Sequence, residues 1–147
     1  MTTAITPALR ALVVERAQGQ CEYCGLSQAG QEATFHVDHV TPRVAGGPTE
    51  ESNLALACVG CSLHKAARRE GPDPTTGATV TLFSPRTDRW SSHFVFDGVW
   101  VRGTSPIGRA TVEALAMNRQ LLLEARAAQE ALRRRTRVDE EPPTPLV

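Results

Sequence analysis

Cys21-Glu22-Tyr23-Cys24 and Cys58-Val59-Gly60-Cys61 enclose the segment Thr34-Phe35-His36-Val37-Asp38-His39-Val40, and these stretches decide how the chain folds. The two Cys-x-x-Cys pairs are 33 residues apart and use every cysteine present. Four thiolates satisfy one tetrahedral Zn²⁺, and the two residues between paired cysteines let both sulfurs turn toward the same ion. A single pair could be a redox couple, and four cysteines could also hold an iron–sulfur cluster. The duplicated pair, without the βαβ context of a redox motif, reads as structural zinc on Cys21, Cys24, Cys58 and Cys61. A closed four-thiolate site has no open position, so this metal staples the fold rather than doing chemistry.

The enclosed segment alternates apolar and polar residues up to Asp38, which predicts a strand. On a regular strand His36 and Asp38 share one face and His39 takes the other, so His39 needs a bend or a strand end to join Asp38. Thr41-Pro42 stops the strand, and Arg43 to Pro48, with Gly46-Gly47-Pro48, is a loop. Thr49 to Cys58 reads as a further turn running through Asn53-Leu54-Ala55-Leu56 into the second cysteine pair. Ser62 to Arg69 has the composition of a short helix that Gly71-Pro72 ends. A carboxylate beside an imidazole suits metal-assisted hydrolysis.

Working outward, Thr6-Pro7 caps and opens a helix over residues 8–17, with Leu9, Leu12, Val13 and Ala17 on its apolar face and Gly19 at its end. Gly25 permits the tight turn after Cys24. Residues 71–77 read as a linker by composition. Residues 78–83 and 93–102 read as strands, with Asp97-Gly98 as a hairpin signal. One long helix is predicted from Pro106 to about Arg135, its apolar positions recurring at helical spacing. Residues 138–147 read as a disordered tail.

Of 147 residues, 41% are hydrophobic and 22% charged, enough for a packed core. The N-terminus lacks a signal-peptide pattern and no run approaches a membrane span, so a soluble, cytoplasmic protein is expected. Sixteen basic and sixteen acidic residues give zero net charge, which counts against a high-affinity, non-specific nucleic-acid coat. A local basic bias remains at Arg43, Lys65, Arg68 and Arg69, opposed by Glu50, Glu51 and Glu70.

The order Cys21-x-x-Cys24, His36-Val37-Asp38-His39, Pro42, Gly46-Gly47, Asn53-Leu54, Cys58-x-x-Cys61, Lys65 resembles an HNH endonuclease of the zinc-stapled kind, over about residues 18–69. That resemblance implies a small ββα-metal core. With the N-terminal helix, C-terminal β-hairpin and long helix read from the residues, an α+β fold is expected, with residues 7–70 as the nuclease domain and 71–137 as an extension packed on it. The resemblance also implies a metal-dependent DNA endonuclease that nicks one strand, leaving a 5′-phosphate and a 3′-hydroxyl. By similarity His39 is the general base, Asn53 holds the loop and orients the base, and Asp38 binds a catalytic Mg²⁺ or Mn²⁺. Arg43, Lys65, Arg68 and Arg69 would lie near the phosphates.

One position departs from that pattern. The family's last His or Asn follows the final cysteine directly and helps bind the catalytic metal, whereas Ser62 stands there in this chain. His36, which shares Asp38's face, or Ser62 through water, is the expected second ligand, ahead of His64. His36 reads equally well as a satisfied structural histidine, His64 as a solvated helix residue and His93 as a packing residue. Trp90, Phe94, Phe96 and Trp100 are expected in the core against the long helix, with base stacking as the minority reading. The rival to an active nuclease is a catalytically weak or inactive zinc module that binds nucleic acid or a protein partner.

Overall fold

The computed structural model describes residues 4–140, with side chains described through Arg134. Helix α1 (Pro7–Arg16) begins as expected, with the Thr6 side chain accepting a hydrogen bond from Leu9 N at 3.1 Å. Val13 is fully buried and Leu9, Val14 and Ala17 pack beside it, whereas Leu12, expected in the core, is exposed. Strands β1 (His36–His39) and β2 (Leu54–Ala57) form an antiparallel pair with His36 opposite Ala57 and His39 opposite Leu54. The stretch read as a turn before the second cysteine pair is therefore a strand, and all four of its residues are buried. It is buried because α1 covers it and Arg16 reaches the Leu54 carbonyl at 2.5 Å.

Helix α2 (Val59–Lys65) starts inside the second cysteine pair, with Cys58 as its N-cap, and stops at Ala66, whose φ is 49°. It begins and ends earlier than composition predicted. The ββα core is thus β1, β2 and α2 in sequence order, an α+β arrangement.

Residues 71–77 are not a linker. Strand β3 (Glu70–Pro72) pairs antiparallel with β4 (Thr79–Thr81), and the intervening turn is held by Asp73. The Asp73 carboxylate is fully buried and accepts bonds from Thr75 N at 3.0 Å and Thr76 Oγ1 at 3.1 Å. Arg109 grips it with two bonds, Nε at 2.9 Å and Nη2 at 2.8 Å. These bonds, with the Arg109 charge, hold the carboxyl well below the usual carboxylate range. A depressed folded pKa stabilises the fold above the unfolded value of about 3.9 and loses that contribution as pH falls through the folded value. Asp73→Asn should therefore lower the melting temperature by an amount that is constant from pH 7 to about 5 and shrinks below about pH 4. Acid releases thiolate-bound metal from both proteins, so the quantity to follow is the difference between them. A gap that widens on acidification would contradict the assignment.

Strands β5 (Phe94–Asp97) and β6 (Trp100–Gly103) form the predicted hairpin, with Asp97 opposite Trp100 and Gly98-Val99 as its turn. Phe94 and Val101 are buried. Phe96 and Trp100, expected in the core, are 48% and 52% exposed, because Phe96 lies near the hairpin tip and Trp100 is on the outer face.

The long C-terminal helix is broken into α3 (Pro106–Ala114) and α4 (Gln120–Glu140). Ala116 at the break has φ 48°, a left-handed conformation that costs an alanine energy. Tertiary contacts outweigh that cost. Leu115 and Met117 are both fully buried, and Asn118 bonds the N–H and C=O of Val101 at 2.9 and 2.8 Å. Helix α4 carries on through 138–140, the start of the stretch read as a disordered tail, and the remainder of that stretch, 141–147, lies outside the described residues.

The C-terminal half docks on the first cysteine pair. Trp90 Nε1 donates to the Tyr23 carbonyl at 2.8 Å, Arg86 pairs with Glu22, and Gln129 bonds both the N–H and C=O of Ser27. Phe83 stands edge-on to both Tyr23 and Phe94 at its centre. Among the described residues, no helix is long and apolar enough to cross a membrane.

Candidate active site

The four cysteines are all buried and their sulfurs lie within 4.8 Å of one another. Each pair forms the same turn: Cys24 N donates to Cys21 Sγ and Cys61 N to Cys58 Sγ, both at 3.4 Å. Gly25, at φ 80°, closes the first turn, and the Phe96 ring lies where a Cβ would project, 2.8 Å away. Tetrahedral zinc with bonds of about 2.3 Å needs sulfurs about 3.8 Å apart. Cys24 and Cys58 stand 3.7 Å apart, so the donor set fits zinc in both identity and spacing. The close approach of the other three cysteine side chains holds the Cys58 thiol below its ordinary value. The four cysteines are positioned to form a zinc site.

Strand β1 projects its side chains as alternation predicts. On the face toward α2, His36 Nδ1 lies 2.9 Å from Ser62 Oγ, and Asp38 Oδ2 lies 3.1 Å from Lys65 Nζ. Ser62 and Lys65 are three residues apart on one helix and meet His36 and Asp38, two apart on one strand. Tyr23 Oη donates to the same Asp38 oxygen at 3.2 Å. Both contacts fall on Oδ2. Burial raises the Asp38 carboxyl, opposed by the charge and hydrogen bond of Lys65 and by the Tyr23 hydroxyl. Burial and the Asp38 charge push the Tyr23 phenol well up, so it is a hydrogen-bond donor at neutral pH.

Lys65 was expected at the surface near phosphate. Its side chain is 3% exposed and is spent on Asp38 and on the His39 carbonyl at 3.1 Å. Arg68, expected in the same role, donates to the Ala114 and His64 carbonyls and ties α2 to α3. Arg43 and Arg69 are exposed, and Arg43 belongs to the turn following β1.

His39 is the last residue of β1 and faces the other way. Its Nε2 is 2.9 Å from Thr49 Oγ1. Burial lowers its pKa, aided by the charge of Arg43 and opposed by Asp38, so the imidazole is neutral at pH 7. The strand end thus presents Asp38 to α2 and His39 to the loop over residues 41–49.

Asn53 shapes that loop. Its Oδ1 accepts from Thr41 N at 2.9 Å, and its Nδ2 donates to the carbonyls of Thr41 and Pro48 at 3.0 and 2.9 Å. Gly47 is required there because a Cβ would lie 1.8 Å from the Thr41 oxygen. Asn53→Ala would leave three backbone groups without partners, and should cost about 2–4 kcal/mol in urea unfolding. A loss below about 1 kcal/mol would show that the loop does not depend on this side chain.

His64, read as solvated, is exposed, and its Nδ1 lies 2.8 Å from the Gly60 carbonyl and 3.0 Å from Arg119 Nη1. His93 packs as expected, against Phe83 and bonded to Ser105. Two site residues escaped sequence reasoning. Tyr23 sits between the first two cysteines, where its exposure could not be read. Thr49 offered no signal beyond a place at the loop's end.

Among the described residues, the four cysteines are the one cluster of three or more His, Cys, Asp or Glu groups within ligating reach of one another. Residues 21–68 match the family model described as HNH endonuclease. Over that segment the chain is similar to HNH endonucleases. The match opens on the first cysteine and covers β1, β2 and α2, the same frame that carries Asp38, His39 and Asn53. No curated protein matches the chain.

Proposed function

We propose that this protein is a metal-dependent DNA endonuclease of the cytoplasm that nicks one strand, with His39 as general base and Asp38 as metal ligand. The observation that carries the reading is the end of β1, where the frame that matches the HNH model presents a carboxylate and an imidazole on adjacent residues. With the Thr49 hydroxyl holding the ring at Nε2, the other ring nitrogen, Nδ1, is the atom left to take the proton of the attacking water. Asn53 keeps the loop carrying Thr49 and Arg43 in place, and Arg43, at the surface beside His39, contacts phosphate.

Asp38 would hold a divalent ion through the oxygen that Lys65 and Tyr23 leave aside, and His36, or Ser62 through water, would be the further protein donor. Mg²⁺ retains several waters and needs few protein ligands, so this small set is sufficient. When bound, Mg²⁺ or Mn²⁺ supplies charge neutralisation at the phosphate and at the leaving oxygen. Lys65 and Tyr23 fix the orientation of the carboxylate, a support that loosely held site residues lack.

The test is incubation of zinc-loaded protein with supercoiled plasmid across divalent ions, followed by end-group analysis. Open circles bearing 5′-phosphate and 3′-hydroxyl ends, formed only with Mg²⁺ or Mn²⁺, are expected. Linear product without a nicked precursor, or 3′-phosphate ends, would contradict the mechanism.

A second reading is favoured by a specific observation: Asp38 is already paired with Lys65, and Ser62 is a neutral, weak ligand. In that reading the domain is a zinc module that binds nucleic acid or a protein without cutting. Salt-sensitive DNA binding, equal in wild type and His39→Ala and without cleavage in any divalent ion, would establish it.

A further inference from the structure

The hairpin tip, the first cysteine turn and helix α4 enclose a groove of about 330 Å³ lined by Gly25, Phe96, Arg126, Glu130, Arg133 and Arg134 among others. The three arginines fall at i, i+7 and i+8 on α4, which places them along one side of the helix. Arg126 is buried. Its Nε donates to the Val99 carbonyl at 2.6 Å, and its Nη2 to the Met117 carbonyl at 2.8 Å and Asn118 Oδ1 at 3.0 Å. These bonds fix the Arg126 guanidinium in the wall of the groove, to which it adds its positive charge.

Two further guanidinium groups flank it at the surface. Glu130, the carboxylate of the groove, already pairs with Arg134 at 3.4 Å and Arg133 at 3.8 Å. Three cations against one anion favour a negatively charged occupant. Phe96 supplies the other wall. It is half-exposed and is backed by Trp90 at 5.0 Å between ring centres, tilted by 33°. An aromatic ring held from behind by a second ring is a stacking platform for a base. The volume, at the low end for small-ligand sites, suits one nucleotide and cannot admit a duplex.

We propose that this groove holds one unpaired nucleotide of a single-stranded nucleic acid, its phosphate on Arg133 and Arg134, with the charge of Arg126 behind them, and its base on Phe96. The inference rests on the nuclease reading for its choice of nucleic acid, and gives that reading a substrate class: DNA with a single-stranded segment beside the HNH domain. Gly25, which adjoins Cys24 and touches Phe96, links groove and domain physically.

The experiment uses the full-length, zinc-loaded protein in a His39→Ala background without added Mg²⁺, so that cutting plays no part. Fluorescence anisotropy follows binding of a labelled 12-nucleotide oligo-dT and of a duplex of equal length. Binding should favour the single strand. The double variant Arg133→Ala/Arg134→Ala, at surface positions, should weaken oligo-dT binding about tenfold and reduce the slope of log K against log salt by about 1–2. Phe96→Ala should weaken it about fivefold or more with the slope unchanged.

Parent and variants binding alike, preference for the duplex, or no binding of oligo-dT would overturn the proposal. So would displacement by inorganic phosphate or poly-glutamate as effective as by unlabelled oligo-dT. The two readings fail separately. Plasmid nicking by the wild type with groove variants that bind unchanged refutes the groove alone. Groove-dependent binding by a protein that never cuts refutes the nuclease alone.

Discussion

Removal of zinc is expected to unfold the whole described protein in one transition, not only the segment between the cysteines. Four-cysteine zinc sites contribute about 10–16 kcal/mol of apparent binding energy, while an entire domain is stable by about 5–15 kcal/mol. The site therefore outweighs the rest of the core. It joins the start of α2, through Cys58, to the turn after α1, through Cys21. The C-terminal half hangs on that same turn through Trp90, Arg86 and Gln129. Cys58→Ser, or chelation of wild type, should abolish cooperative melting followed by circular dichroism. Chelated protein that keeps a sharp transition, or loses only part of its helix signal, would show that the hairpin and α3 stand without the staple.

His39→Ala should slow DNA nicking by about 10²–10⁴-fold, the usual contribution of a positioned base, while zinc content and melting temperature stay near wild type. The side chain is half-buried and is held at Nε2 by Thr49, so its removal disturbs little else. A variant that nicks as fast as wild type would remove His39 from the chemistry. A variant that fails to fold would instead place it among the structural residues.

The four-cysteine frame was legible because cysteines in matched pairs leave few alternatives, and because β1 alternates so strictly that His36 and Asp38 had to share a face. Asn53's grip on the loop was likewise readable from its place in an ordered motif. The neighbours that decide what each group does were not readable. Nothing in the spacing of Lys65 shows that α2 aims its ammonium inward at Asp38 rather than outward at phosphate. A helix that starts at Cys58 puts Cys61 and Lys65 on its buried side, whereas a helix starting at Ser62 leaves Lys65 free to face solvent.

The C-terminal half was harder for a different reason. Gly-Pro-Asp-Pro-Thr-Thr-Gly looks like a linker by composition, yet Arg109, 36 residues on, converts Asp73 into the buried centre of a hairpin turn. Helical periodicity runs smoothly through Ala116, and only the pairing of Asn118 with Val101 reveals the break. Phe96 and Trp100 looked like core because strand periodicity cannot tell a hairpin's base from its tip.

The activity proposed for the end of β1 is metal-assisted phosphodiester hydrolysis. The most direct measurement is the nicking rate of zinc-loaded wild type and Asp38→Asn on supercoiled plasmid as Mn²⁺ is titrated. Saturable Mn²⁺-dependent nicking by wild type, with little or none by Asp38→Asn at equal zinc content, is the predicted result. Absence of nicking by wild type at any Mn²⁺ concentration, or equal nicking by both proteins, would contradict it.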